Sequence, residues 1–243
     1  MDLGIDGRVA LITASSSGLG RATAEALAAE GVKLSINGRS AQRLEEAAER
    51  LEDAGAEVMA LSGDVTESEA PDRLVAATVE RFGRLDIVVA NAGGPPPGRA
   101  LEVDDEAVRS AVEANLLTSV RLVRASLPHL RARGWGRICC LTSYSVVHPI
   151  PTLALSNLAR SGLWAWARTA AADLAAERMG ITLNLVCPGP HSTQRMIDLG
   201  GSGGAPMGDP ADFGKVVAFL CSEPAAFVNG AAVVVDGAQS VGS

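Results

Sequence analysis

Residues 9–29 read VALITASSSGLGRATAEALAA, and the fold is decided on this stretch. Residues 9–13 are apolar and β-prone, with the length of a strand. They run into Thr13-Ala14-Ser15-Ser16-Ser17-Gly18-Leu19-Gly20, where small residues and glycines let the backbone turn tightly. From Gly20 to Ala29 the apolar positions take helical spacing. A strand, a glycine turn and a helix open a βαβ unit. The first turn of such a helix offers free N–H groups and the positive end of its dipole, a natural seat for phosphate. A lone glycine pair before a helix is weak, because many tight turns contain one; the rest of the chain supplies the context.

The alternation continues to the far end. Short apolar runs fall at 33–37, 58–62, 86–90, 137–142, 182–187 and 232–235. They are nearly continuous in apolar character, as strands covered on both faces must be. Between them lie Ala-, Leu-, Glu- and Arg-rich segments at 41–54, 71–82, 104–131, 152–178 and 210–222, which read as amphipathic helices. Strand and helix in strict alternation predict an α/β, doubly wound, Rossmann-type parallel sheet of seven strands with right-handed crossovers. No linker-like stretch divides the chain, so a single domain over 1–243 is expected. Pro95-Pro96-Pro97 and the glycine run 200–204 read as loops.

With 243 residues the chain is long enough for a large core. Aromatics are only 3%, so Ala, Val and Leu must fill that core. The net charge of −7 disfavours nucleic-acid and anionic-membrane partners, and any bound phosphate must be held by local groups. The N-terminal MDLGIDGR lacks a signal pattern and no apolar run has membrane-span length. Cys139, Cys140, Cys187 and Cys221 form no C-x-x-C pair. Buried thiols, no metal site and a cytoplasmic location are therefore expected.

Taken in order, the motifs resemble those of the short-chain dehydrogenase/reductase family over roughly residues 7–238. The loop from Thr13 through Ser15, Ser17, Gly18 and Leu19 to Gly20 is similar to the family's TGxxxGxG phosphate loop, with Ala14 where the family has its first glycine. Asp64-Val65 stands where the family holds adenine, and Asn91-Ala92-Gly93 matches its NAG element. Asn115 lies in the long helix where the family has a catalytic asparagine, and Ser143 at its catalytic-serine position. Pro188-Gly189 and Thr193 match the element that meets the nicotinamide, and Asp236-Gly237 the end of the closing strand. The resemblance implies a nicotinamide cofactor, a small carbonyl or alcohol substrate, and a homodimer or homotetramer assembled through helices 104–131 and 152–178. Trp164 and Trp166 on the latter suit an interface, although a core position suits them equally.

The second strand decides between the two nicotinamide dinucleotides. An NAD site places a carboxylate there against the ribose 2′-hydroxyl. Here Gly38 takes that place and Arg39 follows, and a guanidinium can fork onto a 2′-phosphate. NADP is the expectation, with NAD as the alternative.

The proton chemistry reads differently. The family places a tyrosine thirteen residues past its serine and a lysine four further on. Counting from Ser143 gives Ser156 and Arg160. Pro151 before them and Ser161-Gly162-Leu163 after them support the register. A serine hydroxyl is far less acidic than a phenol, and arginine holds its proton at neutral pH. Spaced by four, both side chains lie on one helix face. Asn115, Ser143, Ser156 and Arg160 are thus the candidate catalytic residues. Tyr144, His148 and His191 are candidate replacement proton donors; adjacent strand residues point to opposite faces, so Tyr144 need not share the pocket of Ser143. The resemblance points to an atypical member of the 3-oxoacyl-acyl-carrier-protein-reductase-like branch. The alternatives are an NADP-binding protein without turnover (a sensor or non-catalytic subunit) and a non-redox enzyme on the same scaffold. The glycine-rich segment between Thr193 and Pro210 reads as a short, open cover.

Overall fold

The computed structural model describes residues 1–204 and 206–241; of the span 1–243 expected to form the domain, residues 205, 242 and 243 lie outside the described residues. Seven strands, β1 (Val9–Ile12), β2 (Lys33–Gly38), β3 (Val58–Ser62), β4 (Ile87–Ala90), β5 (Gly136–Leu141), β6 (Ile181–Pro188) and β7 (Ala232–Val235), form one sheet in the order β3-β2-β1-β4-β5-β6-β7. Every pairing is parallel; Leu11 lies opposite Ser35 on one side and opposite Val88 on the other. Strand order reverses between β1 and β4, which opens a crevice at the carboxyl ends of the strands.

Both faces of the sheet are covered, and the strand sequences show why. Ala10 and Ile12 join a core with Leu27, Leu44, Leu51 and Phe213, whereas Leu11 between them joins Leu74, Val123 and Leu163 on the other side. Cys139 and Cys140 divide between the two cores in the same way. A run apolar at every position is what a strand with two covered faces needs.

The helices follow their caps and spacing. Helix α1 (Gly18–Ala29) begins two residues before the periodicity predicts, and the Ser17 side chain at its N-cap makes no capping hydrogen bond. Helix α2 (Ala41–Asp53) is capped by Ser40 and buries Leu44, Ala47, Ala48 and Leu51, an i, i+3, i+4, i+7 stripe. Helix α3 (Ala70–Phe82) ends at Gly83 in the left-handed conformation.

The segment expected as one helix over 104–131 has three parts: α4 (Asp105–Val112), a π-helical turn (Glu113–Leu117) and α5 (Thr118–Arg133). The Thr118 hydroxyl donates to the Glu113 carbonyl at 3.0 Å, and Arg121 pairs with Glu113, so the widened turn is held from its C-terminal side. Helix α6 (Ala154–Glu177) starts two residues later than expected. The cover segment contains a five-residue helix, α7 (Gln194–Asp198), which sequence pattern alone does not reveal because its apolar positions are too few to show a period. Helix α8 (Pro210–Leu220) follows, with Asp209 as cap and Pro210 at its first turn. Among the described residues no helix is long and apolar enough to cross a membrane.

Candidate active site

The crevice at the strand ends is a cleft of about 740 Å³. Its first half lies over β1, β2 and β3, and its second half over β4, β5 and β6.

In the first half the phosphate loop runs from β1 into α1. Ser16, Ser17, Gly18 and Leu19 line the cleft, whereas Thr13 and Ser15 are fully buried. The Thr13 hydroxyl donates to the Asn91 carbonyl at 2.7 Å and accepts from the Asn91 N–H at 2.9 Å. Ser15 donates to the Ile12 carbonyl at 2.7 Å. Two residues expected to touch cofactor therefore act from below, by tying the loop to β1, β2 and β4. Gly20 also lies beneath the surface: a Cβ there would stand 2.5 Å from the Ala14 carbonyl oxygen and 2.8 Å from Asn91 Nδ2. Ala14 itself has φ +46°, in the region that favours glycine. Its carbonyl accepts from Asn91 Nδ2 at 3.1 Å.

Arg39, Asp64 and Val65 line the far end of this half, together with Ser16, Ser40 and Arg43, which the motif comparison passed over. A Cβ at Gly38 would meet Ser16 Oγ at 2.8 Å, so β2 ends here with no room for a side chain. Arg39 is largely exposed and its guanidinium stands 3.7 Å from Asp64. Burial raises the Asp64 pKa, but hydrogen bonds from the Thr66 N–H and hydroxyl, with the Arg39 charge, outweigh it and hold the carboxyl below its usual value.

Asn91, Ala92 and Gly93 line the passage to the second half, where Asn115, Ser143, Ser156, Arg160, Pro188, Gly189 and Thr193 all meet the cleft. Asn115 sits in the π turn and is 2% exposed, and neither its Oδ1 nor its Nδ2 has a hydrogen-bond partner. A buried carboxamide aimed at a cleft with both ends unsatisfied is an open hydrogen-bonding site. Ser143 caps a short 3₁₀ turn (Tyr144–Val146), its Oγ accepting from the Ser145 N–H at 3.1 Å. Because β5 has ended at Leu141, the alternation that would separate Tyr144 from Ser143 no longer applies, and both line the same cleft. Tyr144 thus shares the cleft with Ser143, which strand alternation had left open. Burial, and then the nearby Asp236 charge, push the Tyr144 phenol above its usual pKa.

Ser156 and Arg160 come from one face of α6, at 7% and 8% exposure. Arg160 Nε donates to Ser156 Oγ at 3.2 Å and Nη1 to the Leu141 carbonyl at 2.9 Å. Burial, and next the charge of Arg195, lower the Arg160 pKa to about 10, so the group remains a cation at neutral pH. His191, also considered as a proton donor, is buried: Nδ1 lies 2.9 Å from the Gly189 carbonyl and the ring packs edge-on against Phe213. It shapes the loop after β6. His148 does not line the cleft.

A seven-stranded parallel sheet of this order, with a glycine loop at its switch point, defines a dinucleotide-binding class of fold. The family model described as enoyl-(acyl carrier protein) reductase matches residues 13–238. Human dehydrogenase/reductase SDR family member 4 is 31% identical over 242 residues, covering 95% of this chain and 86% of that protein. The (hydroxyphenylmethyl)succinyl-CoA dehydrogenase subunit BbsC of Thauera aromatica is 32% identical over 245 residues, covering 97% of this chain and 95% of that subunit. Among solved structures, L-sorbose reductase from Gluconobacter frateurii, complexed with NADPH and L-sorbose, is 32% identical with a TM-score of 0.92 over 100% of both chains. The chain belongs to the short-chain dehydrogenase/reductase family.

Proposed function

We propose that this protein is an NADP-dependent oxidoreductase that moves a hydride between nicotinamide and a carbonyl or alcohol. The observation that carries the reading is the ribose end of the cleft, where Arg39, Arg43, Ser16 and Ser40 gather around Gly38 and no carboxylate occupies the end of β2. Charge-assisted bonds from two guanidiniums suit a 2′-phosphate. The related L-sorbose reductase was solved with NADPH, which supports the same choice.

The residues present fit the cofactor. Gly18 at the α1 N-terminus, with the uncapped Ser17, leaves N–H groups for the pyrophosphate. Asp64 and Val65 would hold the adenine; Asn91, Ala92, Gly93, Pro188, Gly189 and Thr193 would hold the nicotinamide half. When bound, NADPH supplies the hydride that forms the new C–H bond while the carbonyl π pair moves onto oxygen.

The chain's own residues manage that oxygen. Ser156 Oγ accepts from Arg160, which leaves its O–H free to donate to the substrate oxygen together with Ser143. Arg160 stabilises the negative charge that develops there. We assign the proton to the Tyr144 phenol, which lines the same cleft and carries its proton at neutral pH. Replacing Tyr144 by Phe should lower the turnover number by roughly a hundredfold or more while leaving NADPH affinity unchanged. Unchanged turnover would assign the proton to water ordered by Ser143 and Ser156.

A second reading is a partner subunit that binds NADP without turnover. It is favoured by Ser156 and Arg160 standing where the family resemblance expects tyrosine and lysine, and by the description of the similar BbsC as a dehydrogenase subunit. Following NADPH oxidation with ketones, quinones and 3-oxoacyl thioesters separates the two. A Ser156→Tyr, Arg160→Lys double variant that gains activity over an inert parent would establish the second.

A further inference from the structure

Among the described residues, those lining the second half of the cleft include two guanidinium groups and no carboxylate; Asp236, whose charge reaches Tyr144, is not part of the lining. Asp64, the one acidic residue among the described lining residues, stands at the opposite end beside Arg39. Arg160 is 92% buried by its 8% exposure, yet its two hydrogen bonds go to neutral acceptors, the Ser156 hydroxyl and the Leu141 carbonyl. Arg195 on α7 donates to another neutral acceptor, the Pro95 carbonyl at 2.7 Å, with its guanidinium over Gly94. Both side chains line the same cleft, and Arg195 stands close enough to disfavour the charge on Arg160. Asn115 adds a buried Nδ2 donor without a partner.

Burying a cation without an anion is costly, and placing a second cation beside it adds repulsion. The chain as a whole carries −7, so this concentration of positive charge is local and runs against the net charge. Nicotinamide ribose offers only neutral hydroxyls, and the pyrophosphate has its own seat at the α1 N-terminus. An anion delivered with the substrate is what the arrangement lacks. A carboxylate has the fork geometry that guanidinium recognises.

We propose that Arg160 and Arg195 bind a substrate carboxylate, so that the substrate class is an oxo acid or the corresponding hydroxy acid. This rests on the oxidoreductase reading of the same cleft and narrows it. The carboxylate forks onto Arg160, Arg195 reaches it from the cover segment, and the oxo group is left beside Ser143 and Ser156.

The test is calorimetric titration of acetoacetate and 4-oxopentanoate, each against its methyl ester, with and without saturating NADP⁺. The oxidised cofactor with an oxo acid gives a complex that cannot turn over. The acids should bind tighter than their esters by on the order of ten- to a hundredfold, the range of a charge-assisted hydrogen bond. Arg160→Gln and Arg195→Gln should each reduce that ratio by about tenfold, and Arg160→Lys, which keeps the charge but loses the fork, should retain only part of it. Arg195 is exposed, so its variant carries the test should Arg160→Gln fail to fold. A ratio near one in the unaltered protein, or a ratio that survives both glutamine substitutions, would overturn the proposal. So would variants that weaken NADP⁺ but leave the ratio intact, since the charges would then serve the pyrophosphate. The NADP⁺ titration reads separately: acid selectivity without NADP⁺ binding would leave this site standing and remove the cofactor reading.

Discussion

Ala14 and Arg160 both stand where a different residue would relax the structure. Ala14 holds φ +46° at the turn out of β1 and gives its carbonyl to Asn91. An L-residue in that conformation costs about 1–2 kcal/mol, partly offset by the extra freedom glycine gains in the unfolded chain. Ala14→Gly should therefore stabilise the protein by up to about 1 kcal/mol, read as a higher denaturation midpoint. A lower midpoint would show the methyl group to be packed to advantage.

Arg160 makes a pH-dependent expectation possible. Anion binding needs the cation, which is present below the folded-state pKa of about 10 and lost as pH rises through it. The charged and titratable groups around it are Arg195 from α7 and Cys187 from β6, with Tyr144 and His191 elsewhere on the same cleft. The acid-to-ester binding ratio should be flat through neutrality and fall above about pH 10. A fall centred near neutrality would contradict the assignment to Arg160.

Among the elements, the strands were legible and the helix interruptions were not. Continuous apolar runs such as residues 137–142 mark a strand covered on both faces, and β5 follows within a residue at each end. The π turn at Glu113–Leu117 has no comparable mark, because an extra residue in a helix leaves the composition unchanged. Its one sign is chemical: a buried asparagine whose carboxamide the helix does not use. The same limit applied to Tyr144, whose direction depends on where β5 stops. Ser156 and Arg160 were legible as positions through the family resemblance, by counting from Ser143. Their mutual hydrogen bond is local, four residues apart on one helix, whereas the Leu141 carbonyl and the Arg195 charge beside Arg160 come from other elements.

The opposite end of the strands shows an element held by charge. Arg137 at the start of β5 is 1% exposed and donates to the Ser222, Gly136 and Gly180 carbonyls. Its guanidinium stacks 4.4 Å from the Trp135 ring and burial lowers its pKa. Arg137→Leu would leave those carbonyls without their donor and should cost about 2–4 kcal/mol in chemical denaturation. NADPH affinity should hardly change, because the cleft lies at the other end of the strands.

At the scale of the whole molecule, the sheet order puts most of the candidate groups on or just beneath one crevice, although they come from separate stretches of chain. Glycine loop, Asp64, Asn91 and Thr193 become neighbours only because parallel strands all end on the same side. We propose that the protein assembles as a homodimer or homotetramer through α5 and α6. Trp164 and Trp166 are half-buried against the core, so they give that interface less exposed aromatic surface than their position on the helix implies. Light scattering should give two or four chain masses; one chain mass would refute it.

The central claim is that the cleft binds NADPH and passes its hydride to a carbonyl. It is tested most directly by mixing the protein with NADPH, then with an excess of oxo acids and ketones, while following nicotinamide fluorescence through a single turnover. NADPH should bind tighter than NADH by roughly tenfold or more, from the Arg39 and Arg43 contacts, and the bound signal should decay when an oxo acid is added. Binding of NADPH with no decay for any carbonyl, or tighter binding of NADH, would contradict it.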